Sequence, residues 1–552
     1  MLRLTPLGGV GRFGRNCLLV QDEPSGAAVV VDCGVRFAGP ELPGFDVGLP
    51  DLERLKSLGD RLLAYIVTHG HEDHIGAMPL ALRERSAPVY CTSFTARFLQ
   101  RRCARIGEKR PPIDVLSYGE TRTLGPFSFS FAAVSHSIPG AASLILRTPV
   151  GVIVHSGDFR VDEDPVFGLP TDLDSLREAA GVDGIACLLA DSTGATLPGR
   201  NGGEKAVGPG LLRCFRADQD DDSDDGSDVD GAVFVALFAS HLQRLALLID
   251  ICRRRKRKLV LLGRGLLEAL QMGLAEGVID GSDVIVDETA LRNLPRHRLC
   301  IAVTGSQGEE RAALARLARR DPTLGILVEA GDRVVFSARV IPGNERAVQP
   351  LVDAFIDQGA DVVAGRGAPH VSGHGFAEDL RMLLQATRPR CFVALHGNPE
   401  NLVAHGDLAR EVGLDDERIV GLRDGHSLVL DTSAGPRHVE APKAHEPAAI
   451  DGDVCWFPAS LAQSRQRMGK AGVLVVNVVD GVDVTVVPHA VFPDVAGPLL
   501  DKIKEALRAS VRERGGVDDA ARRSISRLFY RQHRSPPELL LLSAEAPITP
   551  SR

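Results

Sequence analysis

Four potential metal ligands lie within six consecutive positions of this chain, directly after the apolar run LLAYIVT. The segment THGHEDHIGA contains His69, His71, Asp73 and His74, in a chain with 16 histidines in all. Imidazole and carboxylate groups are the ligands of Zn²⁺ and related ions. Residues two apart on an extended loop can reach one ion, and Asp73 and His74 can reach a second ion nearby. A polar loop with coincidental histidines is the alternative, but the density of ligands favours a metal site after a strand.

A dinuclear site needs more ligands than one loop supplies, so further His and Asp residues should lie at other strand ends. Each such residue on its own is more often a helix cap or an ordinary satisfied polar group. Together with the HGHEDH segment they would complete a site. The candidates that follow apolar or glycine-rich runs are His136, Asp158, Asp191, His374 and His396.

A glycine pattern near the start of the chain suggests a different ligand. Gly9, Gly11 and Gly14 form GxGxxG after a strand-like run, and Asp32 follows at about the distance typical of dinucleotide-binding folds. That fingerprint requires a helix directly after the third glycine. Here NCLLVQ and AAVVVD both have the pattern of strands, and only the turn DEPSG separates them. Too few residues remain for a crossover helix, so we predict no dinucleotide site.

The order of apolar runs divides the chain, which at 552 residues is too long for one core. Up to about residue 205, short β-rich runs alternate with polar loops and a few helices, which indicates a layered α/β fold. An Asp-rich tract, from Asp218 to Asp230, should be a solvated loop. Strands and helices then alternate from 232 to about 365 as in a parallel sheet. A stretch rich in Pro, Ala and His follows as a linker, and strands around Asp480 and Gly481 predict a hairpin in a small α+β domain.

Composition excludes several classes of protein. With 44% apolar and 25% charged residues, the chain is neither disordered nor fibrous. We expect no signal peptide and no membrane span, because the long uncharged stretch 123–146 is broken by Gly, Pro, His and Ser. Ten scattered cysteines without a CxxC pair are typical of reduced thiols in the cytoplasm. The net charge of −8 equals the eight Asp of the acidic tract, so bulk charge does not indicate a nucleic-acid partner.

Short blocks along nearly the whole chain resemble one family. They are PLGGVGRFGRN, VVVDCG, THGHEDHIGA, HSIP, SGDFR, DST, TGSQGE, IPGNE, HVSGHG and ISRLFY. In this order they are similar to the metallo-β-lactamase superfamily, to its β-CASP nucleases and most closely to the bacterial ribonuclease J family. The resemblance implies an α/β fold, namely a metallo-β-lactamase αββα sandwich with an inserted β-CASP α/β domain and a small C-terminal α+β domain.

The resemblance also implies domain boundaries. The metallo-β-lactamase domain would take residues 1–205 and 367–435. The β-CASP domain would take 206–366, with the acidic loop at 217–230. A linker at 436–462 and the C-terminal domain at 463–552 would follow, and that last domain would support a homodimer or homotetramer.

Ligand roles can be carried over from the family by position. His69, His71 and His136 would hold one divalent ion; Asp73, His74 and His396 would hold the other. Asp158 would bridge the two ions, which we expect to be Zn²⁺ with Mn²⁺ as the alternative, and Asp32 would support the metal loops.

The same resemblance implies roles around the metals. Asp191 and His374 would help to protonate the leaving oxygen. A second group of residues would bind the phosphates of RNA: Ser240, Ser337, Arg339, His370, Ser372 and Gly373.

Three places depart from the family pattern. After His396, the usual Glu, Tyr, Arg is replaced by Asn398, Pro399 and Glu400. After Ser240, the usual Asn, Ile, His is replaced by HLQ, and after Ala338 the usual Ser, Pro is replaced by RV. The metal ligands are unchanged, so the departures concern the RNA channel and the preference for a 5′-monophosphate end.

The basic run 253–258 has two interpretations. Cations at a helix C-terminus in water are the more common case; contact with the RNA backbone is the other.

The function expected from these features is that of a cytoplasmic, metal-dependent ribonuclease in RNA processing and decay, acting on single-stranded RNA. It would degrade RNA as a 5′–3′ exonuclease and also cut as an endonuclease. Two competitors remain: a β-CASP nuclease that acts on DNA, and an inactive RNA-binding scaffold subunit. The TGSQGE and IPGNE blocks favour RNA, and an inactive subunit would be expected to lose metal ligands, of which none is missing.

Overall fold

The structure is a computed structural model, and part of the chain is described by it. The described residues are 1–37, 45, 47–108, 111–218, 227–340, 344–431, 435–439, 448–451, 455–458, 464, 467–468, 473–479, 483–489, 498–514, 523, 525–528 and 538–543. They form two compact units. The first comprises residues 1–36 and 50–445, and the second comprises 37–49 and 446–552.

Two sheets face each other in the first unit. Eight described strands form one sheet, in the order Gly435–Val439, Ser427–Asp431, Leu2–Gly8, Cys17–Asp22, Ala28–Val31, Leu62–Ile66, Val89–Cys91 and Ile113–Val115. Six described strands form the other, in the order Phe392–Leu395, Cys187–Asp191, Gly151–His155, Ala142–Thr148, Phe127–Ala133 and Arg122–Leu124. The core between them contains alternate residues of both sheets, such as Leu4, Val29, Phe129 and Leu144, since side chains along a strand point to opposite faces.

Helices cover the outer faces of both sheets. Tyr65 of the first sheet donates a hydrogen bond to the carbonyl of Ala81, in a helix packed on that sheet. The helices of this layer are Leu52–Lys56, Met78–Glu84 and Ser93–Arg105. A separate apolar core joins the second sheet to the helices Leu173–Ala180, Ala377–Thr387 and Pro399–Glu411. The four layers confirm the predicted αββα sandwich.

An inserted domain interrupts the second sheet. Cys187–Asp191 and Phe392–Leu395 are paired in parallel, although about 200 residues separate them along the chain. Within that interval, five parallel strands form a sheet in the order Lys258–Leu262, Leu299–Val303, Val233–Ala236, Arg333–Phe336 and Asp361–Val363. The helices of this domain are Val207–Arg213, Leu242–Arg254, Arg264–Ala275, Ala290–Asn293, Ala313–Ala318 and Glu345–Asp357. Each face of the sheet has its own apolar core, as a parallel sheet requires.

The glycine-rich start of the chain is a strand connection, as predicted. Leu2–Gly8 pairs antiparallel with Cys17–Asp22, and no helix lies between them. Gly9, Gly11 and Gly14 all have φ between 74° and 94°, which non-glycine residues rarely adopt. The fingerprint would need a helix at this point, and the structure has a strand there.

The second unit contains the predicted hairpin strands. Val473–Val479 pairs antiparallel with Asp483–His489, while the turn at 480–482 lies outside the described residues. Glu538–Ser543 adds a parallel third strand. Ile503 and Leu507 of the helix Pro498–Arg514 are fully buried in the core of this unit.

The segment 436–462 differs from the linker that the sequence predicted. Gly435–Val439 pairs with Ser427–Asp431, so the first sheet extends beyond the expected boundary at 435. Ala448–Asp451 pairs with Cys455–Pro458 and with Val47–Gly48. These strands are four or five residues long and lie among prolines, so no period-2 pattern was visible in the sequence.

The acidic tract is described only at its ends, because residues 219–226 lie outside the described part. Ala217 donates a backbone hydrogen bond to Ser227 there, so the flanks of the tract lie side by side. None of the described helices is both long and apolar enough to cross a membrane.

Candidate active site

The HGHEDH segment forms the loop that follows the strand Leu62–Ile66 and the first turn of a short helix. His71 is the N-cap of the helix Glu72–Ile75, which therefore carries Asp73 and His74. His69 and His74 are buried, with 0% and 1% exposure. Gly34 lies against this helix so closely that a Cβ atom would be 1.6 Å from the carbonyl oxygen of Asp73. The neighbouring strand end thus holds the ligand helix in place.

Three histidines converge at the first candidate metal position. Nε2 of His136 lies 3.1 Å from Nδ1 of His71, and the ring of His69 is 5.0 Å from that of His136. Burial and the neighbouring imidazoles hold the pKa of His69 and of His136 well below the usual value. Burial lowers the pKa of His71 to about 4. All three rings are therefore neutral near pH 7 and keep a lone pair for a cation.

Two aspartates and two histidines form the second candidate position: Asp73, His74, Asp158 and His396, whose ligand atoms all lie within 4.8 Å of one another. Nε2 of His396 is 3.3 Å from Oδ2 of Asp73, and Nε2 of His74 is 3.3 Å from Oδ2 of Asp158. Burial raises the pKa of Asp158, but His396 and His74 outweigh burial and lower it well below the usual value.

Asp158 lies between the two groups. Its Oδ2 is 3.7 Å from Nε2 of His69 and 3.9 Å from Nε2 of His136, as well as close to His74. One carboxylate oxygen thus faces ligands of both positions, which is the placement that a bridging ligand needs.

The described residues of this site suit divalent cations. Nε2 of His69 is buried and has no hydrogen-bond partner among the described residues, although an unpaired buried nitrogen is costly. Neutral imidazoles and ionised carboxylates are the donors that divalent ions of the zinc type prefer. A divalent cation in contact with these atoms would give Nε2 of His69 a partner and would match the donor types of the site.

Asp32 supports the ligand loop from the adjacent strand end. Oδ1 accepts a hydrogen bond from the backbone N–H of Thr68, and Oδ2 accepts one from the Thr68 hydroxyl, both at 2.8 Å. Oδ2 is also 2.8 Å from Nδ1 of His74. Because that contact occupies Nδ1, it leaves Nε2 of His74 to face the site.

Asp191 and His374 lie together beside the second metal position. Nδ1 of His374 is 2.7 Å from Oδ2 of Asp191, and Oδ1 of Asp191 accepts hydrogen bonds from the N–H and hydroxyl of Thr193. Burial lowers the pKa of His374, but the Asp191 carboxylate outweighs burial and raises it above the usual value. His374 keeps 20% of its side chain exposed, so part of its imidazole is accessible to a ligand.

The loop 369–374 is close to the metal ligands. The Gly373 carbonyl is 2.8 Å from Nδ1 of His136, and a Cβ on Gly373 would lie 2.7 Å from the His136 ring. Oγ of Ser372 accepts the N–H of His374. Burial and Arg244 lower the pKa of His370 to about 2, so this ring is neutral beside Arg244 and Arg339. The Glu204 carboxylate also lies near this ring and pairs with Arg244, which leaves Arg339 as the cation facing solvent.

Ser337 was expected to line the phosphate site, but the structure places its side chain elsewhere. It is fully buried, its hydroxyl donates to the carbonyl of Pro369 at 2.8 Å, and it accepts a hydrogen bond from Arg244. The side chain therefore holds the loop rather than facing a ligand.

Ser240 is half-buried, and Arg339 is exposed, with its carbonyl bonded to Gln307.

Several residues of the site were missed from the sequence. The side-chain N–H₂ of Asn16 lies 2.9 Å from Nε2 of His74 and donates to the carbonyl of Asp73. Arg160 donates to the carbonyl of Ser372, and Arg244 donates to those of Ser337 and Pro369. Asn16 in GRFGRN and Arg160 in SGDFR are within the quoted blocks, so the signal was present but not used.

Glu204 joins the two arginines behind this loop. Arg160, Arg244 and Glu204 are all fully buried. Nε of Arg244 donates to Oε1 of Glu204 at 2.5 Å, and Nη1 of Arg160 is 3.5 Å from Oε2 of Glu204. Nε2 of His241 is 3.1 Å from the same carboxylate. Because Glu204 precedes the inserted domain and Arg244 lies within it, the cluster ties that domain to the site.

The departures from the family pattern have structural roles. His241 contacts Glu204, and Gln243 donates to the carbonyl of Phe167. Asn398 caps the helix Pro399–Glu411 by accepting the N–H of Asn401. Pro399 takes the first helical position, where it is favoured.

Five of the six residues of the basic run 253–258 have partners within the protein. Arg253 contacts Asp283, Arg254 contacts Asp250 and Arg255 contacts Asp228. Arg257 is buried and donates to the carbonyls of Gly231 and Leu299, and Lys258 donates to that of Asp283. These contacts favour helix-end cations over an RNA-binding surface.

Family comparisons match three parts of the chain. Residues 10–188 match the metallo-beta-lactamase superfamily, residues 230–355 the beta-CASP domain of ribonuclease J, and residues 361–419 a Zn-dependent metallo-hydrolase RNA specificity domain.

Whole proteins are also similar. Ribonuclease J of Sinorhizobium meliloti is 34% identical over 482 residues, which cover 86% of this chain and 82% of that protein. Ribonuclease J of Mycolicibacterium smegmatis is 36% identical, over 78% of this chain and 75% of that protein. Ribonuclease J of Mycobacterium tuberculosis is 34% identical, over 87% and 83%. A crystal structure of a protein of unknown function from Enterococcus faecalis V583 has a TM-score of 0.53 at 16% identity, covering 78% of this chain and all of that one, which shows a shared fold.

Proposed function

Because this chain belongs to the ribonuclease J family, we infer that it is a metal-dependent ribonuclease that hydrolyses the phosphodiester bonds of RNA. The observation that carries this inference is the convergence of ligands from distant parts of the chain on two adjacent positions. They are His69, His71, Asp73, His74, His136, Asp158 and His396. An inactive scaffold subunit would have no reason to keep this set intact.

We assign two divalent ions to this site, Zn²⁺ or Mn²⁺. The first would be held by His69, His71 and His136, the second by Asp73, His74 and His396, with Asp158 between them. When bound, such a pair lowers the pKa of a water molecule and neutralises charge on the phosphoryl transition state.

His374 is assigned the general acid role. A phosphodiester hydrolysis must deliver a proton to the leaving oxygen, and a histidine with a raised pKa holds one near neutral pH. Asp191 keeps the ring oriented by occupying its Nδ1, so Nε2 is the atom that would donate. Asp191 acts as a positioning residue through this contact.

The loop 369–374 is proposed to bind the RNA phosphates near the 5′ end. An exonuclease must hold the terminal phosphate to remain at the end of the chain. Small residues with backbone N–H groups suit this, as do nearby cations. Ser372 and Gly373 are the small residues, Arg339 is the cation, and the neutral ring of His370 lies beside Arg339. Ser240 is close in the chain to Arg244 of the same cluster. The proposed activity is 5′–3′ exonucleolytic, with endonucleolytic cuts in addition.

A labelled single-stranded RNA with a 5′-phosphate tests this function. Incubation with the purified protein should yield short products, and a chelator should abolish them. Product sizes report polarity, and a DNA strand of the same sequence should be cut more slowly. Persistence of full-length RNA with the metal-loaded protein, or DNA cleavage at the RNA rate, would contradict the proposal.

Arg339 provides a specific prediction about the RNA end. Its exposed side chain is next to His370, where a guanidinium can bind a terminal phosphate as a bidentate fork. We expect 5′-monophosphate RNA to be degraded faster than 5′-hydroxyl RNA, and Arg339→Ser to reduce that ratio. Equal rates for both RNAs in wild type and variant would show that Arg339 does not sense the end.

The assembly and compartment follow from the same family. We propose a homodimer or homotetramer through the C-terminal domain, which sedimentation of the full chain would measure. A cytoplasmic location is supported by the nine described cysteines, all free and buried. Cell fractionation would test it.

A further inference from the structure

A cavity of about 310 Å³ opens beside His136, on the side of the first candidate metal position. The helix Ser93–Arg105 contributes Phe94, and the loop after Ile113–Val115 contributes Ser117 and Tyr118. Phe167 and Leu169 come from the loop after Asp158, and Gln243 from the inserted domain. The volume is at the lower end of the range of about 300–1,000 Å³ for small-ligand pockets, which suits one base and its sugar.

The lining of this cavity is aromatic. Phe94, Tyr118 and Phe167 are half-buried around one space, although only 5% of the chain is aromatic. Phe94 and Phe167 pack against the core of the inserted domain and also face the cavity. Leu169 and Val115 at its edge are 57% and 50% exposed. Apolar surface left in water next to a catalytic centre indicates a ligand that covers it.

Three polar side chains of the lining are already bonded within the protein. The Thr92 hydroxyl donates to the carbonyl of Gly140 at 2.6 Å, and Tyr118 donates to that of Ala141 at 3.1 Å. Gln243 donates to the carbonyl of Phe167 at 3.2 Å. Apart from His136, the described lining residues include no Asp, Glu, Lys or Arg. The cavity therefore suits a flat apolar face, and not a phosphate.

We propose that this cavity is a nucleobase subsite, which takes the base of a nucleotide next to the scissile phosphate. The proposal rests on the proposed function, because the substrate is RNA. Bases stack on aromatic side chains, and stacking tolerates every base because each has a π-face. Since Thr92, Tyr118 and Gln243 already donate to carbonyls of the protein, we expect the subsite to hold a base in place without reading which base it is.

Single abasic nucleotides test the subsite. A set of labelled RNAs carries one abasic residue at each position around a mapped cut, and the metal-loaded full-length protein cleaves them. Stacking contributes about 1–3 kcal/mol per base, so one abasic position should slow the adjacent cut by about 5- to 150-fold. Exchanging that base among A, C, G and U should change the rate by less than about threefold.

Variants connect the effect to the cavity. In Phe94→Ala and in Leu169→Ala, the rates for intact and abasic RNA should differ less than they do in the wild-type protein. Phe94→Trp keeps an aromatic ring, so the two rates should differ about as much as in the wild-type protein. Leu169 is exposed, so its variant keeps the test valid if Phe94→Ala fails to fold. Leu267→Ala, an exposed leucine outside the cavity, is the control and should leave the ratio unchanged.

The outcomes separate the two proposals. If intact RNA is not cleaved at all, the proposed function fails. If intact RNA is cleaved but every abasic RNA is cleaved equally fast, only the subsite is wrong. The subsite is also wrong if the abasic effect is the same in Phe94→Ala and Leu169→Ala as in wild type. A strong preference for one base would contradict stacking without base readout.

Discussion

Asp32 organises the candidate metal site without being assigned a metal ion itself. It accepts hydrogen bonds from Thr68, and its contact with Nδ1 of His74 leaves Nε2 of that ring to face the site. Partners of this kind typically account for 10–100-fold in metal affinity. We therefore expect Asp32→Asn to weaken metal binding by about 10- to 100-fold, measured by competition with a chelator of known affinity.

Asn is the appropriate replacement because Asp32 has φ of +59°, which Asn tolerates better than Ala does. Glu163→Gln, on a largely exposed side chain, is the control and should leave metal affinity unchanged. Wild-type affinity in Asp32→Asn would mean that the loop holds its shape without this carboxylate.

His374 contacts Asp191 through Nδ1 at 2.7 Å and keeps 20% of its side chain exposed. If it supplies the proton to the leaving oxygen, His374→Ala should slow cleavage by about 10²-fold or more, the usual effect of losing a general acid. Metal content should stay the same. Single-turnover rates and elemental analysis measure the two quantities.

His297→Ala, at an exposed position of the inserted domain, serves as the control for the histidine change. Loss of a metal ion from His374→Ala would reassign His374 as a ligand, since it also lies within 4.8 Å of Asp158, Asp191 and His396 ligand atoms. A wild-type rate would exclude the acid role.

At the scale of elements, the inserted domain is anchored by a buried charge cluster. Glu204 contacts Arg160 of the sandwich and Arg244 of the helix Leu242–Arg254. Removing one partner of a buried ion pair leaves an unpaired charge, which costs about 3–5 kcal/mol. We expect Glu204→Gln to lower the free energy of unfolding by that amount, as measured by chemical denaturation.

The exposed pair of Glu163 and Arg200 provides the matched comparison, with side chains 72% and 45% exposed. Glu163→Gln should change stability by less than about 1 kcal/mol. Similar effects of the two changes would show that water reaches the Glu204 cluster.

For the whole molecule, charge sets how RNA binding depends on salt. The net charge is −8, and the basic run 253–258 is largely paired within the protein. For single strands, the slope of log affinity against log salt is about −0.7 for each phosphate neutralised. With about three contacts, we expect log affinity to fall against log salt with a slope of about −2.

Fluorescence anisotropy with labelled RNA and the His374→Ala variant measures this slope without cleavage. A slope steeper than about −5 would mean that more than about seven phosphates are neutralised, and would contradict the expected small number of contacts.

The sequence by itself determined the chemistry and the class of fold. The HGHEDH segment after an apolar strand identified a metal site, because ligand type and spacing are local properties. The alternation of apolar runs identified layered α/β domains, and the block order identified the family. The extended pattern after Gly14 was enough to predict a strand where a dinucleotide fingerprint needs a helix, and the structure has a strand there.

Tertiary structure decided which polar groups are available to a ligand. Ser337 was expected at the phosphate site, but packing of the inserted domain buries its hydroxyl between Arg244 and Pro369. The Glu204 cluster joins residues about 40 positions apart in the chain, and the cavity beside His136 joins segments from Thr92 to Val278, so no local pattern reveals them. The strands within 436–462 were missed for a related reason, since pairing with distant strands stabilises them more than their own sequence does.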